Sequence, residues 1–371
     1  MMKYCKLFLI LFIFCLLVAP LLHIDTSEVS TLENRRLKVF PKIEENGTFN
    51  YNFGTEFDGW LGDRFWKRNE LIAGSTYLRY LLAKNYSKNG VIEGKDGWLF
   101  EERVKRIPTS TDIKALKKLK KFCDKNGIKL FVIISPKSYD IYPEYYPEET
   151  DTTIPWHTHF HKFYKLGFPV VESVESMKKA KSGDKLFFKK DHHWTDLGAS
   201  VAYQDFVKEL QKVYPDFPSY NPLDFEVSYL DQRYSYKRNE TSVNSLCKKW
   251  GIDYPLLCAS EQYPYYQHKC NVKKEVIEQP LKYHKYTNKN GYPLKVFLIG
   301  KSQSFILEIF FRAYIKELLR IDMNNLFNKR TPSIEPYLPL IKEEHPEVLV
   351  LLLASTYLLT DFNEDGPVDN K

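Results

Sequence analysis

The strongest constraint on this chain is a set of long apolar runs that alternate with helical segments. Ile128 to Ile134, Leu294 to Ile299 and Val348 to Leu353 are nearly continuous in Val, Ile, Leu and Phe. A strand that is apolar on both sides must be covered on both faces, as in a parallel sheet. Phe168-Pro169-Val170-Val171 and Leu186-Phe187-Phe188 read as two shorter strands. Between them lie segments with helical apolar spacing. Ser110 or Thr111 caps a helix through Lys125 that buries Leu116, Leu119 and Phe122, and Gly127 ends it. Ala199 to Leu210, Phe305 to Leu319 and Tyr337 to Glu344 carry further helices, and a helical segment also runs to Lys179. Strands alternating with helices predict an α/β sandwich on a parallel sheet.

Ligands of open α/β sheets sit at the carboxyl ends of strands, so the residues there carry the functional question. After Leu186-Phe187-Phe188 comes Lys189-Lys190-Asp191-His192-His193-Trp194-Thr195-Asp196-Leu197-Gly198. If this stretch is extended, Asp191 and His193 point one way and His192 the other. An Asp beside a His fixes the tautomer of the ring and stabilises its charged form, as a base needs. After Leu294 to Ile299 comes Gly300-Lys301-Ser302-Gln303-Ser304, then a helix. A Ser on a tight strand-to-helix turn stands above the sheet, near backbone N–H groups able to hold an oxyanion. The plainer reading is that Ser302 or Ser304 caps the helix. Lys137, in Ser135-Pro136-Lys137-Ser138 after Ile134, is a candidate site residue or a solvated loop lysine. Together the strand ends offer a hydroxyl nucleophile, a base and an orienting carboxylate. A metal site at Asp191-His192-His193 is the weaker reading, because adjacent histidines on a strand diverge and no further ligand cluster is evident. The chemistry expected needs no cofactor.

The N-terminus sets the compartment. Lys3 and Lys6 precede an apolar run from Leu7 to Leu22, broken only by Pro20, and His23-Ile24-Asp25-Thr26 lacks a small-residue cleavage site. The pattern predicts a signal anchor over 1–24: single-pass, with the bulk of the chain extracytoplasmic, on the periplasmic or cell-surface side. A cleaved signal peptide is the alternative. The charge of +7 is scattered, without the aromatic-interleaved basic block of a nucleic-acid site, so no nucleic-acid partner is expected. The plentiful Tyr and Phe suit a core first and sugar stacking second. Cys247, Cys258 and Cys270 are close enough in sequence for one disulfide with one thiol left over; which pair forms is not readable.

The remaining segments divide the chain. Residues 25–90 read as a juxtamembrane arm followed by one or two helices within Glu56 to Asn85. Asp96-Gly97 marks a hairpin turn between short apolar segments. An α/β domain is expected over 91–358, with an elaboration of no sustained period at 221–290, and 359–371 reads as a disordered acidic tail.

Asp191-His192-His193-Trp194-Thr195 with the downstream Gly300-Lys301-Ser302-Gln303-Ser304 resembles the DHHW proteins and the related alginate O-acetyltransferases of AlgJ and AlgX type. Glu33-Asn34-Arg35, the Gly94 to Phe100 turn and Pro136-Lys137-Ser138 before Ile141-Tyr142-Pro143-Glu144 fit the same family. The resemblance implies an SGNH-hydrolase-like, flavodoxin-like α/β/α sandwich. It implies Ser302 as nucleophile, His193 as base and Asp191 as its orienter, with Gly300, Lys301, Lys137 and Trp194 as substrate-binding or oxyanion positions. The function expected is O-acyl transfer, O-acetyl above all, to a cell-surface or exported polysaccharide. A membrane acyltransferase partner would supply the acyl group. An esterase with the same triad is one alternative. A silent glycan-binding or scaffold subunit of an export complex is the other, favoured by Lys301 where the family usually carries Asp, Thr or Asn.

Overall fold

A computed structural model describes residues 24–30, 35–45, 47–65, 90–102, 110–147, 161–231, 262–278, 281–323 and 334–354, with scattered positions between 67 and 88. The anchor segment, Glu33-Asn34, Cys247, Cys258 and the acidic tail lie outside the described residues. Among the described residues, no helix is long and apolar enough to cross a membrane. The chain divides into two compact units, one of residues 1–92 with 244–259, the other of 93–243 with 260–371.

In the first unit two small antiparallel pairs form, Val29–Ser30 with Arg35–Arg36 and Glu44–Glu45 with Thr48–Phe49. Gly47 turns the second at φ 77°, where a side chain would be strained. The helix Phe53–Arg64 follows.

The second unit is a seven-stranded sheet. Its strands are β1 (Lys129–Ser135), β2 (Val170–Glu172), β3 (Val272–Ile277), β4 (Tyr283–Asn288), β5 (Tyr292–Gly300), β6 (Ile315–Asp322) and β7 (Val348–Ala354). Their order across the sheet is β3-β4-β6-β5-β7-β1-β2. From β6 to β2 every pairing is parallel, whereas β4 runs antiparallel to β6 and β3 to β4. The sheet is therefore mixed, not parallel throughout. The two antiparallel strands come from the region that reads as a structureless elaboration. Along β4 Tyr283 is buried on one face and Tyr286 and Asn288 on the other, so the buried positions are hidden in polar and aromatic letters. The same region supplies a separate antiparallel ribbon, Phe225–Asp231 with Gln262–His268.

Helices cover both faces. On one, α1 (Ser110–Lys125) and α4 (Leu338–Glu344) pack Leu116, Leu119, Leu340 and Ile341 onto Val132, Ile299, Ile321 and Leu351. On the other lie α2 (Asp196–Gln211) and α3 (Ser304–Tyr314), where Phe206 meets Phe131 and Phe311 at 5.5 and 4.8 Å between ring centroids. Each fully buried Phe contributes on the order of 2 kcal/mol. The helix expected to reach Leu319 ends at Tyr314: Ile315 takes extended angles, φ −104° and ψ 137°, and starts β6 with no connecting loop. The β-branched Ile315 and Ile321, with Leu318 and Leu319 between them, fit a buried strand as well as a helix, and the vacancy beside β5 decides. Leu186-Phe187-Phe188 forms no full strand; Phe187 makes one isolated bridge to Trp194.

Candidate active site

β5 ends at Gly300, and Lys301, Ser302 and Gln303 turn the chain into α3. A Cβ on residue 300 would stand 2.9 Å from the Leu352 Cβ and 3.0 Å from the Ser304 Cβ, so glycine is required by close approach. Ser304 N–H donates to the Lys301 carbonyl at 2.8 Å and Phe305 N–H to the Ser302 carbonyl at 3.1 Å, closing the turn. Gln303 occupies the N-cap with no side-chain cap bond, and the Ser302 hydroxyl points elsewhere.

It points at His193. Ser302 Oγ lies 2.7 Å from His193 Nε2, and His193 Nδ1 is hydrogen-bonded to Asp191 Oδ1. The same carboxylate oxygen accepts the His193 backbone N–H at 2.8 Å. An ionised carboxylate only accepts, so the network assigns the ring proton to Nδ1 and leaves Nε2 to receive the Ser302 hydroxyl. Asp191 is 1% exposed and His193 8%. Burial pushes the Asp191 carboxyl up. The His193 imidazole and its hydrogen bonds, with His192 behind, outweigh this and hold the carboxyl well below the usual range.

The stretch from Lys189 to His193 is a series of bends rather than a strand. The alternation that sent His192 to the opposite face therefore fails. Its ring lies on that of His193, centroids 3.9 Å apart, with Nδ1 3.9 Å from Asp191 Oδ1. Burial, then the neighbouring His193, pushes His192 far below the ordinary imidazole value. Donor atoms of Asp191, His192 and His193 do lie within 4.8 Å of one another. The Asp191–His193 bond and the contact with Ser302 already engage the groups a cation would need.

The neighbouring residues hold this geometry. Trp194 is fully buried, and its Nε1–H donates to the Gln303 carbonyl at 3.2 Å. Gln303 Nε2 donates back to the His192 carbonyl at 3.4 Å. Thr195 caps α2 by accepting from Gly198 N–H at 3.2 Å and donates to the Lys185 carbonyl at 2.8 Å. A Cβ on residue 198 would meet the Leu186 carbonyl at 2.2 Å. Three further segments clamp the bend. Leu99 N–H donates to the Lys189 carbonyl at 2.8 Å, Leu186 N–H to Tyr142 Oη at 2.9 Å and Lys189 N–H to Tyr263 Oη at 3.1 Å.

Lys137, just past β1, is buried, and its Nζ meets Glu101 Oε2 at 2.6 Å. Both charges act on His192, with Glu101 raising and Lys137 lowering its proton affinity. Lys137 thus belongs to a charged group on the His192 side rather than to a solvated loop. Lys301 is partly buried within the Ser302 turn. Sequence reasoning missed Glu101, Gln303 and Tyr263. Gln303 was the anonymous position between two serines, and Glu101 followed the Trp98-Leu99-Phe100 run unremarked; Tyr263 carried no signal in a region without period.

Comparison with known proteins identifies a family and a fold. Residues 91–350 match the family described as SGNH hydrolase-like domain, acetyltransferase AlgX. The "Probable alginate O-acetylase AlgJ" of Pseudomonas aeruginosa is 26% identical over 143 residues, covering 36% of this chain and 36% of the relative. That of Azotobacter vinelandii is 27% identical over 124 residues, covering 30% and 31%. The chain thus spans about a third of the length of the curated relatives it matches. Among solved structures, Bacillus cereus PatB1 with a sulfonyl adduct aligns at TM-score 0.55 and 13% identity over 73% of this chain and 95% of that one. A DHHW family protein from Eubacterium siraeum aligns at TM-score 0.53 and 14% identity over 75% and 99%.

Proposed function

The chain belongs to the AlgX-type family of SGNH hydrolase-like acetyltransferase domains, and on that premise we propose that it is an extracytoplasmic O-acetyltransferase whose catalytic unit is Ser302, His193 and Asp191. The observation that carries this reading is the 2.7 Å approach of Ser302 Oγ to His193 Nε2, with Nδ1 of the same ring held by buried Asp191.

In this reading Ser302 Oγ attacks the acyl carbonyl of a donor while His193 takes the hydroxyl proton. Asp191 steadies the imidazolium and does not itself become protonated. Backbone N–H groups of the turn around Gly300 and Lys301 are the candidate oxyanion donors. The leaving group departs with the proton from His193, and Ser302 remains as an ester. An acceptor sugar hydroxyl then gives its proton to His193 and attacks that ester, and the proton returns to Ser302. The relatives named for alginate support a cell-surface or exported polysaccharide as acceptor; the acyl group would come from a membrane acyltransferase partner. The Lys3, Lys6 and Leu7 to Leu22 pattern supports a single-pass anchor with the catalytic unit outside the membrane.

The same three residues would hydrolyse an acyl ester if water reached Ser302, so exclusion of water separates transferase from esterase. A chromogenic acetyl ester, with and without oligosaccharide acceptors, makes the distinction. Transfer requires acetylated sugar in the products and faster release of the chromophore when acceptor is present. Release that ignores every acceptor supports the esterase. Labelling by a sulfonyl fluoride should map to Ser302, and a chain that neither labels nor turns over is the silent subunit.

A further inference from the structure

In the first unit, Val39, Phe40, Ile43, Phe49 and Tyr51 are 79%, 53%, 60%, 58% and 87% exposed. Apolar side chains exposed singly need no cause, but a contiguous group marks a contact surface. Their rings form two groups, one around Phe40 and one pairing Phe49 with Tyr51. The Phe40 ring lies edge-on to Phe53, Phe57 and Trp60 at 6.2, 6.0 and 4.9 Å between centroids, and Phe49 meets Tyr51 at 5.7 Å. Phe53, Phe57 and Trp60 share one face of the helix Phe53–Arg64, by the spacing of four and three residues.

A second feature fixes where this face sits along the chain. Buried Arg64, at the far end of the same helix, donates to the Asp25 carbonyl at 2.7 Å, to the Ser27 carbonyl at 2.6 Å and to the Lys38 carbonyl at 3.2 Å. Asp25 N–H returns a bond to the Arg64 carbonyl at 3.1 Å, and Lys38 N–H donates to Asp63 at 2.9 Å. The chain is thus bolted to this helix three residues after Leu22, where the apolar run Leu7 to Leu22 ends. A helix of 12 residues is about 18 Å long. The aromatic face is therefore held within about that distance of Asp25, three residues after the apolar run ends.

We propose that this aromatic face is a membrane-surface contact, seated in the headgroup layer of the leaflet that Leu7 to Leu22 enters. Rings of Trp, Tyr and Phe are favoured at that depth. Exposed Lys38 and Lys42 stand near it together with exposed Glu44, Glu56 and Asp58, so the rings and not net charge carry the contact. The proposal rests on the anchor reading of the preceding section and adds a second, independent attachment to it.

The test uses the full chain in vesicles of phosphatidylcholine and phosphatidylglycerol, with bromines placed shallow or deep on the acyl chains. The Trp60 signal is the difference between wild type and Trp60→Phe. Shallow bromines should quench it more than deep ones. Phe40→Ser with Tyr51→Ser should abolish most of that quenching, while the protein still resists alkaline extraction. An unquenched Trp60 in a chain that resists extraction overturns the proposal and leaves the anchor standing. If soluble oligosaccharide, and not lipid, changes the Trp60 signal, the face is a glycan platform and the proposal fails. A Trp60 that is quenched in a chain stripped off by alkali supports the surface contact and removes only the anchor. A chain that is stripped and was never quenched removes both.

Discussion

The indole N–H of Trp194 donates to the backbone carbonyl of Gln303, 109 residues along the chain, at 3.2 Å. It ties the bend carrying Asp191 and His193 to the turn carrying Ser302. Trp194→Phe keeps the bulk and removes the donor, leaving the Gln303 carbonyl with only the longer bond from Leu307 N–H at 3.4 Å. Stability should fall by about 1–2 kcal/mol. Turnover should fall further than the loss of folded protein explains, because base and nucleophile lose their register. Urea unfolding and ester turnover on the same samples check this; an unchanged kcat rules out a positioning role.

Ser302→Ala and His193→Ala should each lower turnover of an acetyl ester by a factor on the order of 10³ or more, and the double variant should be no worse than either. Asp191→Asn should lower it by about 10³ to 10⁴ while the fold persists. Circular dichroism and steady-state rates make the measurement. Additive losses for Ser302 and His193 argue that they do not act as one unit.

Stability should fall between pH 6.5 and pH 4, in part through His284. Burial, with Lys274, Arg320 and Lys282, pushes this imidazole down to about 4 against the opposing pull of Glu278. The unfolded chain takes up the proton near pH 6.5, so across that window it binds more protons than the folded chain. The stabilisation is complete above the window and is lost as pH falls through it. His284→Gln should flatten the decline in urea midpoint over that range. An unchanged slope assigns the decline to other groups.

Lys137→Met should destabilise by about 3–5 kcal/mol, because it breaks a mostly buried ion pair in which Glu101 is at 16% side-chain exposure. Adding Glu101→Leu should recover most of the loss. Thermal melts of the two variants decide. A double variant as unstable as the single one means that Lys137 matters through a different partner.

The Cys123 thiol is buried and pushed up to about 12, so iodoacetamide at pH 8 should leave it unmodified until urea is added. Cys270 is a free thiol. A disulfide in the elaborated region should therefore join Cys247 to Cys258, as non-reducing peptide mapping would find. Cys270 in a bridge overturns this assignment.

The sequence made the strands at the site legible and obscured those at the far edge. β1, β5 and β7 were visible because each is covered on both faces and reads as an unbroken apolar run. β6 reads as the end of a helix because Ile315, Leu318, Leu319 and Ile321 satisfy either period, and only the place beside β5 settles which. β3 and β4 were missed because their inward positions include Tyr286 and Asn288, which do not register as apolar. At the site, the residue types and the strand-to-helix turn at Ser302 are legible in the sequence, but the pairing of Asp191 with His193 arises from a bend and not from the strand alternation that suggests it. The stacking of His192 on His193 is not legible, because it depends on a bend whose cause is a set of distant clamps: Tyr142, Tyr263 and the Leu99 N–H.

The strand order also dictates when a growing chain acquires its reactive serine. β5 lies between β6 and β7, both synthesised after it, and β1 meets the rest of the sheet only through β7. Among the described strands, the last to be made is the keystone. Until residues 348–354 arrive, the half that bears Asp191 and His193 and the half that bears Ser302 have no shared sheet to align them. Before then, Asp191 and His193 are joined to Ser302 by the contacts of α2 with α3 and the Trp194–Gln303 bond.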